Sequence, residues 1–320
     1  MTAIMTVTPN PAIDLFTSVP TLVPFAKLRC VEPLRDPGGG GINVARVVHR
    51  LREDVAAVFP VGGDTGALLA RLLIKEGVQV LPVEAKEETR QDVTVLETST
   101  GRQYRFILSG APLDTNEWKK CLEHVARAAP EPRLVVGSGS LPAGVPVDFY
   151  ARLSWTAGRA GSRMVLDCAG EPLQAALKEG VYLIKPNLRE FEELIGSTLA
   201  SDADRVRAGR DLIARGACEL IALTLGRDGA LLISRDIALR AEGLPVKVSS
   251  VVGAGDSFLG GMVTAISRDS SLEEALRYGT AAGTAATFNT GTELCHLDDT
   301  MRLVKHVVVH SCTEASVLPA

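Results

Sequence analysis

Short apolar runs, each closed by Gly, Pro or Asp and followed by a segment of helical period, recur in this chain from its first residues to about residue 290. That alternation constrains the fold most, because a strand returning parallel to its predecessor needs a crossover, and crossover helices bury the strands on both faces. The expected fold class is α/β, with a mostly parallel central sheet and helices on both faces. Predicted strands are Ala3–Val7, Ala56–Pro60, Arg133–Val136, Met164–Asp167, Val181–Ile184, Leu220–Leu225 and Ala230–Ser234. After Asn43, the residues Val44, Val47, Val48 and Leu51 recur at helical spacing while Arg46, Arg50 and Glu53 fall elsewhere on the wheel, which predicts a sheet-covering helix.

One segment departs from this rhythm. Val93–Leu96 and Gln103–Leu108 flank Thr98-Ser99-Thr100-Gly101 and predict a β-hairpin with no helix over its outer face. With the Pro-rich stretch Phe16–Pro37 it predicts a small β-layer off the main sheet, a lid or a subunit contact, with strands from about 15–36 and 90–108. Only the tail after about Val309 reads as dispensable.

Composition removes several classes. At 320 residues, 46% hydrophobic and 22% charged, the chain has ample material for a core and is not disordered. Lys plus Arg number 34 against 38 Asp plus Glu, a net charge of −4, so there is no basic field and no nucleic acid partner is expected. The longest charge-free stretches, Leu134–Val147 and Tyr278–Thr292, are 14 and 15 residues, short of the roughly 20 that cross a bilayer. No positive charge precedes Lys27, so no secretory signal is expected, and the predicted location is cytoplasmic. The six cysteines show no CxxC spacing and read as reduced thiols packed as small hydrophobes. His306 and His310, four apart on an expected helix, lack a third ligand and read as surface residues.

The sharpest motif is Ser250–Met262. Its glycines give way to helical spacing at Phe258, Met262 and Ile266, so they sit at a helix N-terminus, where free N–H groups suit an anion. Asp256 begins that helix, either as a capping residue or as a base meeting a hydroxyl beside a bound phosphate. The run Gly38–Gly41, followed by Ile42 and Asn43, forms a second loop that lets a ligand approach bare backbone. Asp14 follows the first strand and would stand at the carboxyl edge of the sheet, where open α/β folds bind ligands. Asn187 and Glu190, after Lys185-Pro186, would share a helix face and hold a hydrated magnesium ion. Thr224–Gly229 is a strand-to-turn element whose glycines would admit a nucleotide phosphate or ribose. No Gly-Lys pair and no GxGxxG after a strand occurs, which removes P-loop and standard dinucleotide sites.

These residues resemble the ribokinase-like, PfkB-type carbohydrate kinases from about Ile4 to residue 305. The glycine loop stands as Pro37-Gly-Gly-Gly-Gly-Ile-Asn-Val-Ala-Arg46 and the second signature as Val252-Gly-Ala-Gly-Asp-Ser257. Within the family the resemblance is to the minor bacterial 6-phosphofructokinases, through Lys27-Leu-Arg-Cys30, Glu84-Ala-Lys86, Thr89-Arg-Gln91, Gln103-Tyr-Arg-Phe106 and Gly139-Ser-Leu-Pro142. Thr8-Pro9-Asn10-Pro11 is shared instead with 1-phosphofructokinases and tagatose 6-phosphate kinases, which are the alternative.

The resemblance implies a single ribokinase-like kinase domain over residues 1–320 that transfers the γ-phosphoryl of ATP to the C1 hydroxyl of fructose 6-phosphate. Asp256 would be the base, and the N–H groups of Gly253, Ala254 and Gly255 the anion hole. Asp14, Gly38, Gly39 and Asn43 would clamp the sugar. Arg90, Arg105 and Ser140 would hold its phosphate, with Lys27 donated by a second subunit of a homodimer formed through the lid. Lys185, Asn187, Thr224, Gly226, Gly229 and Asn289 would bind ATP, with Asn187 and Glu190 on Mg2+ and a K+ site near Asn289–Glu293. Leu188 and Arg189 replace a more polar pair usual there, and Glu293 stands where a basic residue is usual.

Overall fold

The protein is represented by a computed structural model that describes residues 3–312. Its strands are β1 (Ile4–Val7), β2 (Ala12–Val19), β3 (Leu34–Gly38), β4 (Val55–Val61), β5 (Gln79–Glu84), β6 (Arg90–Glu97), β7 (Arg102–Phe106), β8 (Leu134–Ser138), β9 (Arg163–Asp167), β10 (Val181–Ile184), β11 (Cys218–Thr224), β12 (Gly229–Ile233), β13 (Ala238–Glu242) and β14 (Val309–Ser311). The helices are α1 (Gly40–Arg50), α2 (Gly63–Glu76), α3 (Thr115–Ala126), α4 (Phe149–Arg159), α5 (Gly170–Glu179), α6 (Leu188–Ile195), α7 (Asp202–Ala214), α8 (Ala254–Ser267), α9 (Leu272–Ala286) and α10 (Leu297–Val304).

A ten-stranded sheet runs in the order β14-β13-β12-β11-β10-β9-β8-β1-β4-β5. It is parallel from β11 to β5 and antiparallel at the β12–β14 edge. Alternate side chains feed two cores. Leu134 and Val136 join Val47, Leu259 and Leu276 of α1, α8 and α9, whereas Val135 joins Cys121, Phe149 and Phe191 of α3, α4 and α6. Burial on both faces is why these strands read as continuous apolar runs.

The second sheet has four strands in the order β3-β2-β6-β7. Here β2 and β6 are parallel, and the outer pairs, including the β6–β7 hairpin, are antiparallel. This lid begins at Ala12 rather than near residue 15, because Ala12–Asp14 already pair with Asp36–Gly38. It is anchored to the body through α1. Buried Arg46 donates to Pro37 O at 2.8 Å and binds Glu76 of α2, while Thr292 donates to Asp36 at 2.8 Å.

Two sequence expectations fail at the C-terminus. His306 and His310 do not share a helix: α10 stops at Val304, and His310 lies in β14 opposite Arg240. Val309–Ser311 is also a paired edge strand rather than a dispensable tail, while residues 313–320 lie outside the described residues. The strands β5 and β13 escaped prediction because Pro82 interrupts the short apolar run of β5 and Arg240 that of β13. Among the described residues no helix is long and apolar enough to cross a membrane.

Candidate active site

Ser138, Asp167 and Thr224 end β8, β9 and β11, and Lys185 directly follows β10, so adjacent parallel strands deliver their polar termini to one edge. Over that edge stands the N-terminus of α8. Gly253 is its N-cap at φ 75°, a left-handed conformation natural to glycine. Asp256 occupies the third helical position and makes no capping bond, which removes its capping alternative. The Ala254 N–H turns back to Val251 O at 3.3 Å, whereas those of Gly253 and Gly255 have no protein acceptor among the described residues.

This turn of helix divides two cavities. The first, about 740 Å³, is lined by Gly253 and Asp256 together with Asp14, Gly39, Asn43, Arg90, Arg105, Ser140 and Glu190. The second, about 700 Å³, is lined by Ala254 and Gly255 together with Lys185, Asn187, Thr224, Gly226 and Gly229. A larger cavity of about 1050 Å³ opens at the amino ends of β9–β11. Two of its arginines are spent on its own aromatics, Arg159 lying 4.9 Å from the Trp155 ring and Arg163 4.3 Å from Tyr182, so we do not take it as the site.

Charge is concentrated on the partition. Lys185 pairs with Asp167 at 3.1 Å. Burial would lower the lysine's pKa, but Asp167, Asp256 and Glu190 outweigh it and leave it raised. Burial lifts Asp167 to about 6 despite Lys185. It also raises Asp256, against the pull of Asn43, Lys185 and Arg105. The Asn43 amide donates to Asp256 Oδ2 at 2.9 Å and keeps its own buried Oδ1 without a partner.

The glycine run opens space as much for the protein as for a ligand. A Cβ at Gly38 would fall 2.5 Å from the Asp14 carboxyl carbon, and Gly39 sits at φ 108° against Pro11. Asp14, on strand β2 of the lid, thereby lines the first cavity, and burial with Asp92 opposite raises its pKa to about 7. Arg90 is engaged within the protein, its guanidinium reaching both Asp92 oxygens at 2.9 and 2.8 Å, Leu108 O at 3.1 Å and Asn10 O at 3.2 Å. Arg105 projects from β7 into the cavity with no ion pair among the described residues.

Asn187 is not on a helix face with Glu190, as the spacing suggested; it is the N-cap of α6. Its Oδ1 accepts from Glu190 N and Glu190 Oε2 accepts from Asn187 N, each at 2.9 Å. The pair therefore straddles the partition. Lys27, Gly38 and Asn289 line neither cavity. Lys27 is exposed on the loop between β2 and β3, and the Asn289 amide donates to Leu294 O at 2.8 Å. Asp167 and Asp92 were missed in the sequence. Asp167 ends a predicted strand just as Asp14 follows one, and Asp92 lies two residues from Arg90, on the same face of β6.

The chain matches the profile of the pfkB family carbohydrate kinases over residues 13–299. It is 42% identical over 301 residues to the ATP-dependent 6-phosphofructokinase isozyme 2 of Mycobacterium tuberculosis, covering 93% of this chain and 88% of the relative. It is 41% identical over 308 residues to the isozyme of the same name from Escherichia coli K12, covering 96% and 99%. Crystal structures of the E. coli phosphofructokinase-2 superpose with TM-scores of 0.90 in complex with fructose-6-phosphate and 0.91 with potassium, at 39% and 40% identity and with 96% and 99% of the two chains covered. A tetrameric inhibited form of that enzyme matches at 0.90, with the same coverage. At 20% identity and TM-score 0.75, Arabidopsis thaliana ribokinase shares the fold, covering 95% of this chain and 99% of its own.

Proposed function

The chain belongs to the pfkB family of carbohydrate kinases, and from that premise we propose that it transfers the γ-phosphoryl group of ATP to the C1 hydroxyl of fructose 6-phosphate. One observation carries this reading: the Asp256 carboxylate stands on the turn of α8 that separates a cavity lined by sugar-clamp and cationic side chains from one lined by glycines and Lys185. The acceptor hydroxyl gives its proton to Asp256. The new P–O bond forms as the bond from the γ-phosphorus to the bridging oxygen breaks, and ADP leaves with that oxygen. A raised Asp256 pKa suits proton acceptance near neutral pH.

The free N–H groups of Gly253 and Gly255, with Lys185, face the charge that develops on the phosphoryl oxygens. Asp14, Gly39 and Asn43 orient the sugar, with Gly38 making room for Asp14. Arg105, Arg90 and Ser140 receive the sugar's phosphate, and Lys27 reaches it from a second copy packed on the lid. Thr224, Gly226, Gly229 and Asn187 hold the nucleotide, and residues 1–320 act as one catalytic domain.

Glu190 fits a magnesium ion. Its Oε1 is left over from the capping pair, close enough to Asp167 to act on its charge, and Mg2+ keeps several waters and needs only one or two carboxylates. When bound, the ion would neutralise phosphate charge. Glu190→Gln keeps the cap, so it should raise the magnesium concentration for half-maximal rate without changing Tm. The Asn289–Glu293 loop suits potassium less well: Gly291 O already accepts from Ser250, and the Asn289 amide is turned to Leu294 O, so no step runs through it.

Steady-state rates with fructose 6-phosphate, fructose 1-phosphate, tagatose 6-phosphate and free fructose test the acceptor. The highest kcat/KM is expected for fructose 6-phosphate, and a preference for any other would overturn the assignment.

A further inference from the structure

The helix that carries Asp256 also carries Gly260, one turn further along the same face. Facing it on α1, Val47 lies one turn beyond Asn43. The two helices therefore meet in successive rows, Asn43 against Asp256 and Val47 against Gly260. In the first row the amide donates to the carboxylate at 2.9 Å. In the second, a Cβ at position 260 would fall 2.7 Å from Val47 Cβ and closer still to its Cγ1. Both Gly260 and Val47 are buried, so neither side can yield into solvent.

The opposite flank of α8 is equally tight. A Cβ at Gly261 would lie 2.8 Å from Tyr278 O, and one at Gly279 would lie 2.9 Å from Phe258 O. Thus α8 cannot retreat toward α9 when pushed from α1. An added methyl at 260 must displace α1 itself, and with it Asn43.

We propose that Gly260 is a positioning residue: by letting Val47 seat against the bare backbone of α8, it holds Asn43 on one oxygen of Asp256 and leaves the other to the acceptor hydroxyl. The proposal rests on Asp256 being the base. Gly260 itself lines neither cavity, so its influence on turnover passes through the helix pair.

The experiment is a cycle of Gly260→Ala, Val47→Ala and the double variant. A displacement on the order of 1 Å at a reacting group costs up to roughly 10²-fold, so Gly260→Ala should lower kcat by at least about tenfold with the KM for ATP nearly constant. Its acid limb of kcat should move to higher pH, because the Asn43 bond lowers the Asp256 pKa and would be weakened; Lys185, Arg105, Asp167 and Glu190, the other charges around the carboxylate, stay in place. Val47→Ala alone should leave kcat close to wild type, and the double variant should recover most of the lost rate because the clashing methyls are gone. Should Gly260→Ala fail to fold, Val47→Ile adds a methylene to the same seam and should show the same acid-limb shift with a smaller loss. A lowered Tm with unchanged kcat and pH limb, or a rate loss that Val47→Ala does not relieve, would overturn the positioning role. Full activity of Asp256→Asn would instead overturn the base assignment beneath it.

Discussion

The central sheet and the lid alternate side chains in the same way, yet they bury them differently. In β8 the successive residues Leu134, Val135 and Val136 are all fully buried, because helices cover both faces. In the lid, Arg105 turns into the cavity while Tyr104 and Phe106 turn away, and Phe106, Ile107 and Leu108 are each more than half exposed. Phe25, Val23 and Val31 of the adjoining loop are exposed as well. These exposed apolar side chains lie at two places on the lid, the end of β7 and the β2–β3 loop. The body's strands are covered by its own helices, whereas the outer face of the lid carries no helix, and a second copy packed there is part of the proposed reading.

The comparison is tested most severely at the catalytic end of the body. Asp256→Asn keeps the shape but cannot take a proton, so turnover should fall by about 10²–10⁴-fold with nucleotide affinity nearly unchanged. A variant keeping more than about a tenth of wild-type turnover would remove Asp256 as the base. Stability should separate the regions next. Phe59, fully buried in β4, should cost about 3–5 kcal/mol when cut to Ala. Phe106→Ala should change the stability of an isolated chain by less than about 0.5 kcal/mol. Urea unfolding at low and high protein concentration reads both, and the Phe106 effect should grow with concentration. Equal costs at low concentration would erase the distinction.

The cleft side of the lid sharpens the contrast. Loss of a charge-assisted contact of about 1.5–3 kcal/mol predicts that Arg105→Ala raises the KM for the sugar phosphate roughly tenfold to 150-fold. Its Tm should not move, because the Arg105 side chain makes no ion pair among the described residues. Arg90→Ala should raise the same KM and also lower Tm, since Arg90 ties β6 to Asn10 and Leu108. An unchanged KM in both would refute the phosphate clamp. The smallest effect concerns Asp14. Its folded pKa, about 7, lies above the usual carboxylate value, so the folded state holds the extra proton, and its contribution to stability is lost as pH rises from about 4 through 7. Asp14→Asn should flatten that part of the stability profile; an identical slope would show that Asp14 ionises freely.

What could be read in advance follows the same division. Strands covered on both faces are continuous apolar runs, so most of the sheet was legible, and the two glycine signatures led to the cleft. The strand β5 at one edge and β13 beside the other edge strand, β14, carry Gln79, Glu84, Arg240 and Glu242 and give no such signal. Within the site, residue types were legible but commitments were not. That Arg90 would be engaged by Asp92, or that Asn187 and Glu190 would cap one another, depends on side-chain directions that only the folded chain sets. Asp167 could have been found by extending to β9 the reasoning applied to Asp14.

Lys27 carries a thermodynamic corollary. Lys27 lines neither cavity at the partition, so under the proposed assignment it would serve the sugar phosphate across a contact between copies. Binding free energies are reciprocal, so whatever factor pairing adds to sugar-phosphate affinity, the sugar phosphate adds to pairing. Under that assignment enzyme concentration would become a variable of the rate law: dilution would act as an inhibitor competitive with the sugar, and a rise in sugar phosphate would assemble the catalyst that consumes it.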